Sequence, residues 1–502
     1  MRNKVNNWWS DKLTVITKAV KSKQFFWVIL AIFIFESLWV ALSAVYPMAF
    51  DEDFHLGIIK FYAGHLNPFF SHQPANTYVY GAISRDPSYL YQYLMSFPYR
   101  LISLFTKSST TQIIALRIIN VGIFAGAIYL FKLLFDKFTK LSPLMINLVL
   151  LFFVLTPIVP QLAGQINYDS LFLLTIPLTL YLFFSFVKDL KSHNKLNVNK
   201  GLLLLSACML ASLVKYAYLP IFLAIGMAVL IIIAMYYKSL KKALNGLKTG
   251  FLKTSRSSLI LLLAFTALSF GLFFQRYGIN MIDYHNPIPD CAQVLTINDC
   301  KQYSPWDRNY EMLLAKVSKP DANIFKFTGY WLGHALQGIT FAANGKSSGY
   351  IIGNPLPIVL ILFAVTFLGG IVTVIYFGRK ILWNKPVNRL LMAVIIFYLG
   401  ALWLQNYSDY LHFGQTVAIQ GRYWIPVLIP ILILIGQTIA HIVREHPRMK
   451  TVIVIYFLVL LLQGGGLATF VFRSDNSWYW QNSVVYKVNQ KSRTVLNHIL
   501  IS

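Results

Sequence analysis

Three consecutive acids, Asp51, Glu52 and Asp53, stand in the run Tyr46-Pro47-Met48-Ala49-Phe50-Asp51-Glu52-Asp53-Phe54-His55. Adjacent carboxylates repel one another, which raises the pKa of at least one and favours proton acceptance or a bound cation. Asp51 and Asp53 form an Asp-x-Asp pair and, with His55, could offer oxygen and nitrogen ligands to a divalent ion such as Mg2+ or Mn2+. The alternative is a solvated acidic turn that caps the helix after it, a task Asp performs well. Further on, Arg85-Asp86-Pro87 places an acid before a proline that fixes a helix start. Asp86 is therefore an N-cap, which local chemistry favours, or a second site acid.

The positive groups that could complement these acids are few. Lys215 interrupts apolar sequence in Leu213-Val214-Lys215-Tyr216, Arg276 ends an apolar run, and Arg422 opens one in Gln420-Gly421-Arg422-Tyr423. Each is either a snorkelling anchor at a membrane surface or a group that captures phosphate, for which Arg bonds bidentately and Lys acts as a point charge. Asn167-Tyr168-Asp169 opens another apolar run, with Asp169 a site acid or only an N-cap. Glu36 lies midway through the first apolar run, where an ionised carboxylate is costly unless paired; it reads as structural or protonated, with Arg117 a candidate partner. Cys291 and Cys300, with eight residues between them, could close a small loop on an oxidising side, whereas Cys208 in an apolar run reads as packing.

The elements that must hold these residues are membrane spans. The 502 residues are 57% hydrophobic and 12% charged, against about 25% charged in soluble domains, which excludes a soluble globular enzyme. Phe25 to Tyr46 is long enough to cross a bilayer as a helix of about 20 residues. Ten more runs follow, at about 112–135, 142–160, 170–187, 201–214, 218–237, 258–275, 351–377, 390–404, 423–443 and 451–472. Backbone groups in hydrocarbon must be satisfied within the segment, so these are helices; the short run 201–214 could be broken or re-entrant. The expectation is an all-α polytopic membrane protein of about 11 transmembrane helices. A basic N-terminus, 1–24, precedes the transmembrane domain, 25–472, and a tail, 473–502, follows it.

Basic residues mark the cytoplasmic side. Placing the N-terminus there puts 26 of the 44 Lys and Arg, but only Asp11, Asp136, Asp189 and Glu445 among the acids, in short inner loops. The inner side then carries +22 of the total +26, so the charge records membrane insertion and gives no support to nucleic-acid binding. Two long stretches, about 47–111 and 276–350, fall outside with most of the acids, and the C-terminus lies outside as well. Pro87 to Phe105 mixes aromatic and aliphatic residues as an interfacial helix or a packed loop helix would.

This layout resembles the GT-C superfamily of polytopic glycosyltransferases, and Asp51-Glu52 with His55, Asn167-Tyr168-Asp169, Lys215-Tyr216 and Gln420-Gly421-Arg422-Tyr423 resemble a bacterial branch of it, the DUF2142 membrane proteins. The resemblance implies an inverting hexosyl or pentosyl transferase in a bacterial plasma membrane. A polyprenyl-phosphate-linked sugar would be its donor, and a glycan, lipid or protein of the cell envelope its acceptor. It also implies that Asp51 or Glu52 is the base that deprotonates the acceptor hydroxyl. Arg422 and Lys215 would stabilise the leaving phosphate, with Arg276, Tyr423, His55, Asp86 and Asp169 as further substrate-binding candidates. Relatives often carry a His-Pro-Pro or Glu-x-Pro-Pro element where this chain has Asp86-Pro87-Ser88, and they differ in metal dependence. Competing readings are a flippase or transporter of envelope glycolipids, which would place ionisable groups near the midplane and show repeats, and a non-catalytic membrane scaffold. No Gly-rich phosphate loop, metalloprotease signature or Ser-His-Asp spacing stands out.

Overall fold

A computed structural model describes residues 15, 17–48, 51–139, 141–193, 196–253, 255–315, 320–341, 344–345, 350–351, 357–445, 453, 456, 478–480 and 484–501. Apart from one two-residue strand pair, the regular elements among these residues are helical. Seven stretches are long and apolar enough to cross a membrane: Lys23–Ser43, Ser109–Phe138, Asp169–Lys191, Tyr216–Tyr237, Arg256–Tyr284, Pro386–Phe413 and Gly421–Val443. The expected span 351–377 corresponds to Pro357–Ile381, and 451–472 lies outside the described residues except for 453 and 456.

Local sequence explains the helix ends. The first span, α1 (Lys23–Ser43), starts on Ser22, whose hydroxyl accepts from Phe25 N at 3.2 Å. The first long loop then forms α2 (Glu52–Ala63) and α3 (Leu90–Phe105), and α4 (Ser109–Phe138) starts on the Ser108 cap. The expected single run 142–160 is instead α5 (Pro143–Leu155) and the short α6 (Ile158–Ala163), because Pro157 cannot continue the hydrogen-bond ladder of α5. Next come α7 (Asp169–His193) and α8 (Val198–Val214), the latter one unbroken helix capped by Asn197. Lys215 has extended dihedrals that break the chain before a 3-10 turn, Tyr216–Tyr218, and α9 (Leu219–Tyr237).

In the second half, a basic amphipathic α10 (Leu240–Lys253) leads to α11 (Arg256–Phe273), which passes through a π-turn at Phe274–Gly278 into α12 (Ile279–Tyr284). The second long loop holds α13 (Cys291–Val294), α14 (Ile297–Cys300), α15 (Ser304–Leu314) and α16 (Ile324–Phe341). After it come α17 (Pro357–Ile381), α18 (Pro386–Phe413), a 3-10 turn at Gly421–Trp424, α19 (Ile425–Glu445) and α20 (Val484–Ile501).

The core is a bundle in which α4 packs on α1 and α7, α8 on α7 and α11, and α19 on α5 and α17. At its centre Phe124 stacks between Phe33 at 5.3 Å and Phe153 at 6.3 Å. On α3, Tyr91, Gln92, Met95 and Ser96 are buried while Leu101, Leu104 and Phe105 are exposed, the division expected of a helix lying between protein and lipid. Arg100 on that helix donates to the carbonyls of Tyr62, Ala63 and His65, capping the end of α2. Trp478 and Tyr479 are buried against the end of α1, where Val45 N donates to Trp478 O at 2.8 Å.

Candidate active site

The four short motifs converge at one end of the bundle, opposite the lysine-rich connections. Asp51 sits just before α2 with φ 69°, a left-handed backbone that is uncommon for a residue with a Cβ. Its side chain is 52% exposed and accepts from Arg422 Nη2 at 3.0 Å. Burial alone would raise its carboxyl pKa, but the charges of Arg422, His55 and Lys215 outweigh it and hold Asp51 below the ordinary carboxylate range.

Arg422 owes its position to glycine. A Cβ on Gly421 would stand 2.3 Å from Ile339 N and 2.5 Å from Ala335 O, so only glycine lets the 3-10 turn press its backbone onto α16. Arg422 then reaches Asp51 on one side and Tyr423 Oη at 3.1 Å on the other, while Tyr423 O accepts from Tyr398 Oη at 2.8 Å.

Lys215 completes the charge cluster. Its Nζ lies 2.6 Å from Asp169 Oδ1 in a pair that is about 5% exposed, and 4.3 Å and 5.2 Å from the ring centres of Tyr168 and Tyr423. Asp169 is aimed by Asn167, whose side chain accepts from Asp169 N at 2.8 Å, and the carboxylate suits the positive end of α7. His55 is buried, with its ring 4.5 Å from that of Tyr168. Burial pushes the His55 pKa down to about 4, against the pull of Asp51 and Asp169, so it is neutral at pH 7. Its Nδ1 bonds the side-chain amide of Gln92 at 3.1 Å; with that amide turned so that its oxygen accepts from Nδ1, the Gln92 nitrogen also donates to Ser88 O.

Glu52, one residue from Asp51, is wholly buried and fully bonded. Its Oε1 accepts from Arg117 Nε at 2.7 Å and Ile166 N at 3.0 Å; its Oε2 accepts from Arg117 Nη2 and Met48 N, each at 2.7 Å. Arg117 also donates to Ala44 O at 2.6 Å, so this pair ties α2, α4, the end of α1 and the segment before α7 together. Arg117 is thus bonded to Glu52, where the sequence suggested Glu36.

Buried Arg276 and partly buried Asp86 form a second group. The π-turn directs Arg276 into the first loop, where it donates to Ser84 O and, at 3.0 Å, to Pro68 O, with its guanidinium over the Tyr89 ring at 4.7 Å. Asp86 is no N-cap of α3: its side chain accepts from Ser88 N at 2.8 Å in a turn. Burial raises the Asp86 pKa, opposed by that bond and by Arg276. Ser88 in turn accepts from Tyr216 N at 3.0 Å, so these residues join the first loop to the segment that follows Lys215.

Asp53 is exposed, and among the described residues no three His, Cys, Asp or Glu side chains come together as metal ligands. Asp51 is instead bonded to Arg422 through Oδ2 and His55 to Gln92 through Nδ1. Cys291 and Cys300 are joined by a disulfide.

Tyr303, which carries no local signal in the sequence, follows this disulfide. Its N–H donates to Cys300 O, its ring lies 5.6 Å from Phe54, and its Cδ1 would be 3.0 Å from a Cβ on Gly81. Burial and the nearby Asp86 and Asp51 raise the phenol's pKa. The second loop thereby packs onto α2, the helix that begins beside Asp51. Only its place in the folded chain reveals it.

No family model matches the chain, and no curated protein matches it. Among solved structures it is similar to the crystal structure of the Archaeoglobus fulgidus oligosaccharyltransferase tethered with an acceptor peptide containing the NVT sequon via a disulfide bond. The TM-score is 0.50 at 13% identity, covering 89% of this chain and 55% of that one. The chain spans about half the length of this neighbour, and the likeness is one of fold: a helical bundle resembling that of the oligosaccharyltransferase.

Proposed function

We propose that the chain is a glycosyltransferase that moves a sugar from a polyprenyl-phosphate-linked donor to a cell-envelope acceptor at the outer membrane face. The observation that carries this reading is the Asp51–Arg422 pair, a half-exposed carboxylate and a guanidinium held beside Lys215, Tyr168 and Tyr423. Its short motifs resemble those of DUF2142 membrane proteins, its fold resembles that of an oligosaccharyltransferase, and the concentration of Lys and Arg in the opposite loops supports an outward-facing site.

In this mechanism Asp51 accepts the proton of the acceptor hydroxyl while that oxygen forms a bond to the anomeric carbon. The bond from that carbon to the phosphate oxygen breaks with inversion, and the lipid phosphate leaves with the electron pair. Arg422 and Lys215 meet the developing negative charge. A carboxylate held low by Arg422 is a weak base, so the incoming phosphate has a second role: it draws the guanidinium toward itself, and Asp51 becomes a better proton acceptor. Glu52, with every lone pair engaged in a dry site, is the structural partner. The two acids expected as alternatives for the base thereby separate.

The test is sugar transfer from a polyprenyl-phosphate donor in membranes containing wild type or Asp51→Asn. Loss of transfer by about 10²-fold or more is expected for removal of a general base. Undiminished transfer in Asp51→Asn would overturn the assignment.

A further inference from the structure

A cavity of about 370 Å3 opens where the start of α16 meets the end of α18, and Phe327, Tyr330, Tyr410, Asp321, Lys326 and Gln415 line it. Small-molecule sites commonly have volumes of roughly 300–1,000 Å3, with aromatic walls and a few placed polar groups. Here the walls are braced. Phe327 is buried and stacks on Tyr410 with ring centres 5.1 Å apart, while the half-exposed Tyr330 lies 4.1 Å from the His334 ring.

Charge narrows the ligand class. Asp321 and Lys326 bond each other at 3.0 Å, so the cavity offers a donor and an acceptor with no net charge, and Gln415 adds a neutral amide. An anionic phosphate has no reason to prefer it, in contrast to the Arg422 and Lys215 cluster. Ring faces beside uncharged hydrogen-bonding capacity suit a neutral sugar, whose C–H face packs on aromatic carbon while its hydroxyls meet polar groups at the edge.

Position supplies the link to the reaction. Helix α16 runs from this cavity to the Arg422 turn, where Gly338 and Gly421 meet backbone to backbone and Trp331 packs on Trp424 at 5.1 Å. At 1.5 Å per residue, Tyr330 and Gly338 are about 12 Å apart along the axis, the reach of a short oligosaccharide.

We propose that this cavity is a subsite for a neutral sugar unit of the acceptor, which identifies the acceptor as a glycan rather than a bare lipid or peptide. The assignment to the acceptor rests on the transferase reading above.

The full chain in lipid nanodiscs would be screened against an array of soluble neutral and acidic oligosaccharides, in parallel with Tyr330→Ala, Tyr330→Phe, Tyr410→Ala and Asp51→Asn. Retention of neutral glycans is expected, weakened by up to about tenfold in Tyr330→Ala and Tyr410→Ala. Tyr330→Phe keeps the ring and should bind close to wild type, which also controls for folding; Asp51→Asn is read for transfer rather than for binding. Retention of no neutral glycan, of acidic glycans alone, or equally by Tyr330→Ala and Tyr410→Ala, would overturn the proposal. Because binding is read without turnover, failure of the transferase reading is distinguishable: it would appear as undiminished transfer by Asp51→Asn with glycan binding intact.

Discussion

Asp51 and Glu52 are neighbours, and each bonds an arginine from a distant part of the chain, yet the two pairs occupy opposite environments. Glu52 and Arg117 are sealed from solvent with four hydrogen bonds on the carboxylate, whereas Asp51 is 52% exposed and shares one bond with Arg422. A dry, saturated pair holds backbone segments in place and has no lone pair left for a substrate. An open pair on a left-handed residue can exchange partners. On the proposed reading, the place where each carboxylate is buried, rather than the acidity of the motif, gives the two acids their separate roles.

The largest effect should come from breaking the sealed pair. Glu52→Gln or Arg117→Met leaves an uncompensated buried charge, at a cost of about 3–5 kcal/mol. Thermal unfolding in detergent should show a large loss of stability or of recoverable protein; a wild-type transition for Glu52→Gln would erase the distinction between the pairs.

On the open side, Arg422→Gln should lower transfer by about 10²-fold or more through loss of charge at the leaving group, and should also change the pH profile. Asp51 has a depressed pKa, so its base function is present above that value and lost as pH falls through it. The acid limb of wild-type kcat/KM therefore lies below the ordinary carboxylate value of 3.8 and should move upward when Arg422 is removed. An unmoved limb would mean that Arg422 does not govern Asp51. Arg422→Lys retains the charge and should show a smaller change.

A smaller effect is expected from the second loop, whose Tyr303 packs on Phe54 of α2, one turn beyond the open pair. Opening the Cys291–Cys300 loop by Cys→Ser changes forfeits about 2–3 kcal/mol of loop order on a chain-entropy estimate. The account expects KM to rise with the bundle's unfolding temperature little altered, while Tyr303→Phe, which keeps the ring, should change KM least. A collapse of the whole bundle on Cys→Ser would show that the loop supports the sealed side as well.

Much of the fold was legible because hydrocarbon imposes a length and a composition on each span. Seven expected spans coincide with long apolar helices, and the pairing of Lys215 with Asp169 joins two motifs read separately in the sequence. The break at Pro157 was missed because the apolar run continues through it, and apolarity does not report backbone continuity. The roles of Glu52, Arg276 and Asp86 depend on partners 65, 192 and 2 residues away, of which only the last is local. Gly421 in the Gln-Gly-Arg-Tyr motif was visible as a residue, but its reason, the backbone of α16, comes from more than 80 positions upstream. Tyr303 had no signal at all, since a lone tyrosine in a polar loop looks like any other.

The most direct test measures transfer and unfolding temperature together for Asp51→Asn and Glu52→Gln in one membrane preparation. The account predicts a crossed result: Asp51→Asn loses transfer by about 10²-fold or more yet unfolds like wild type, while Glu52→Gln loses stability and whatever fraction remains folded retains its turnover. Two variants that lose activity and stability in the same proportion, or an Asp51→Asn protein that transfers sugar normally, would contradict it.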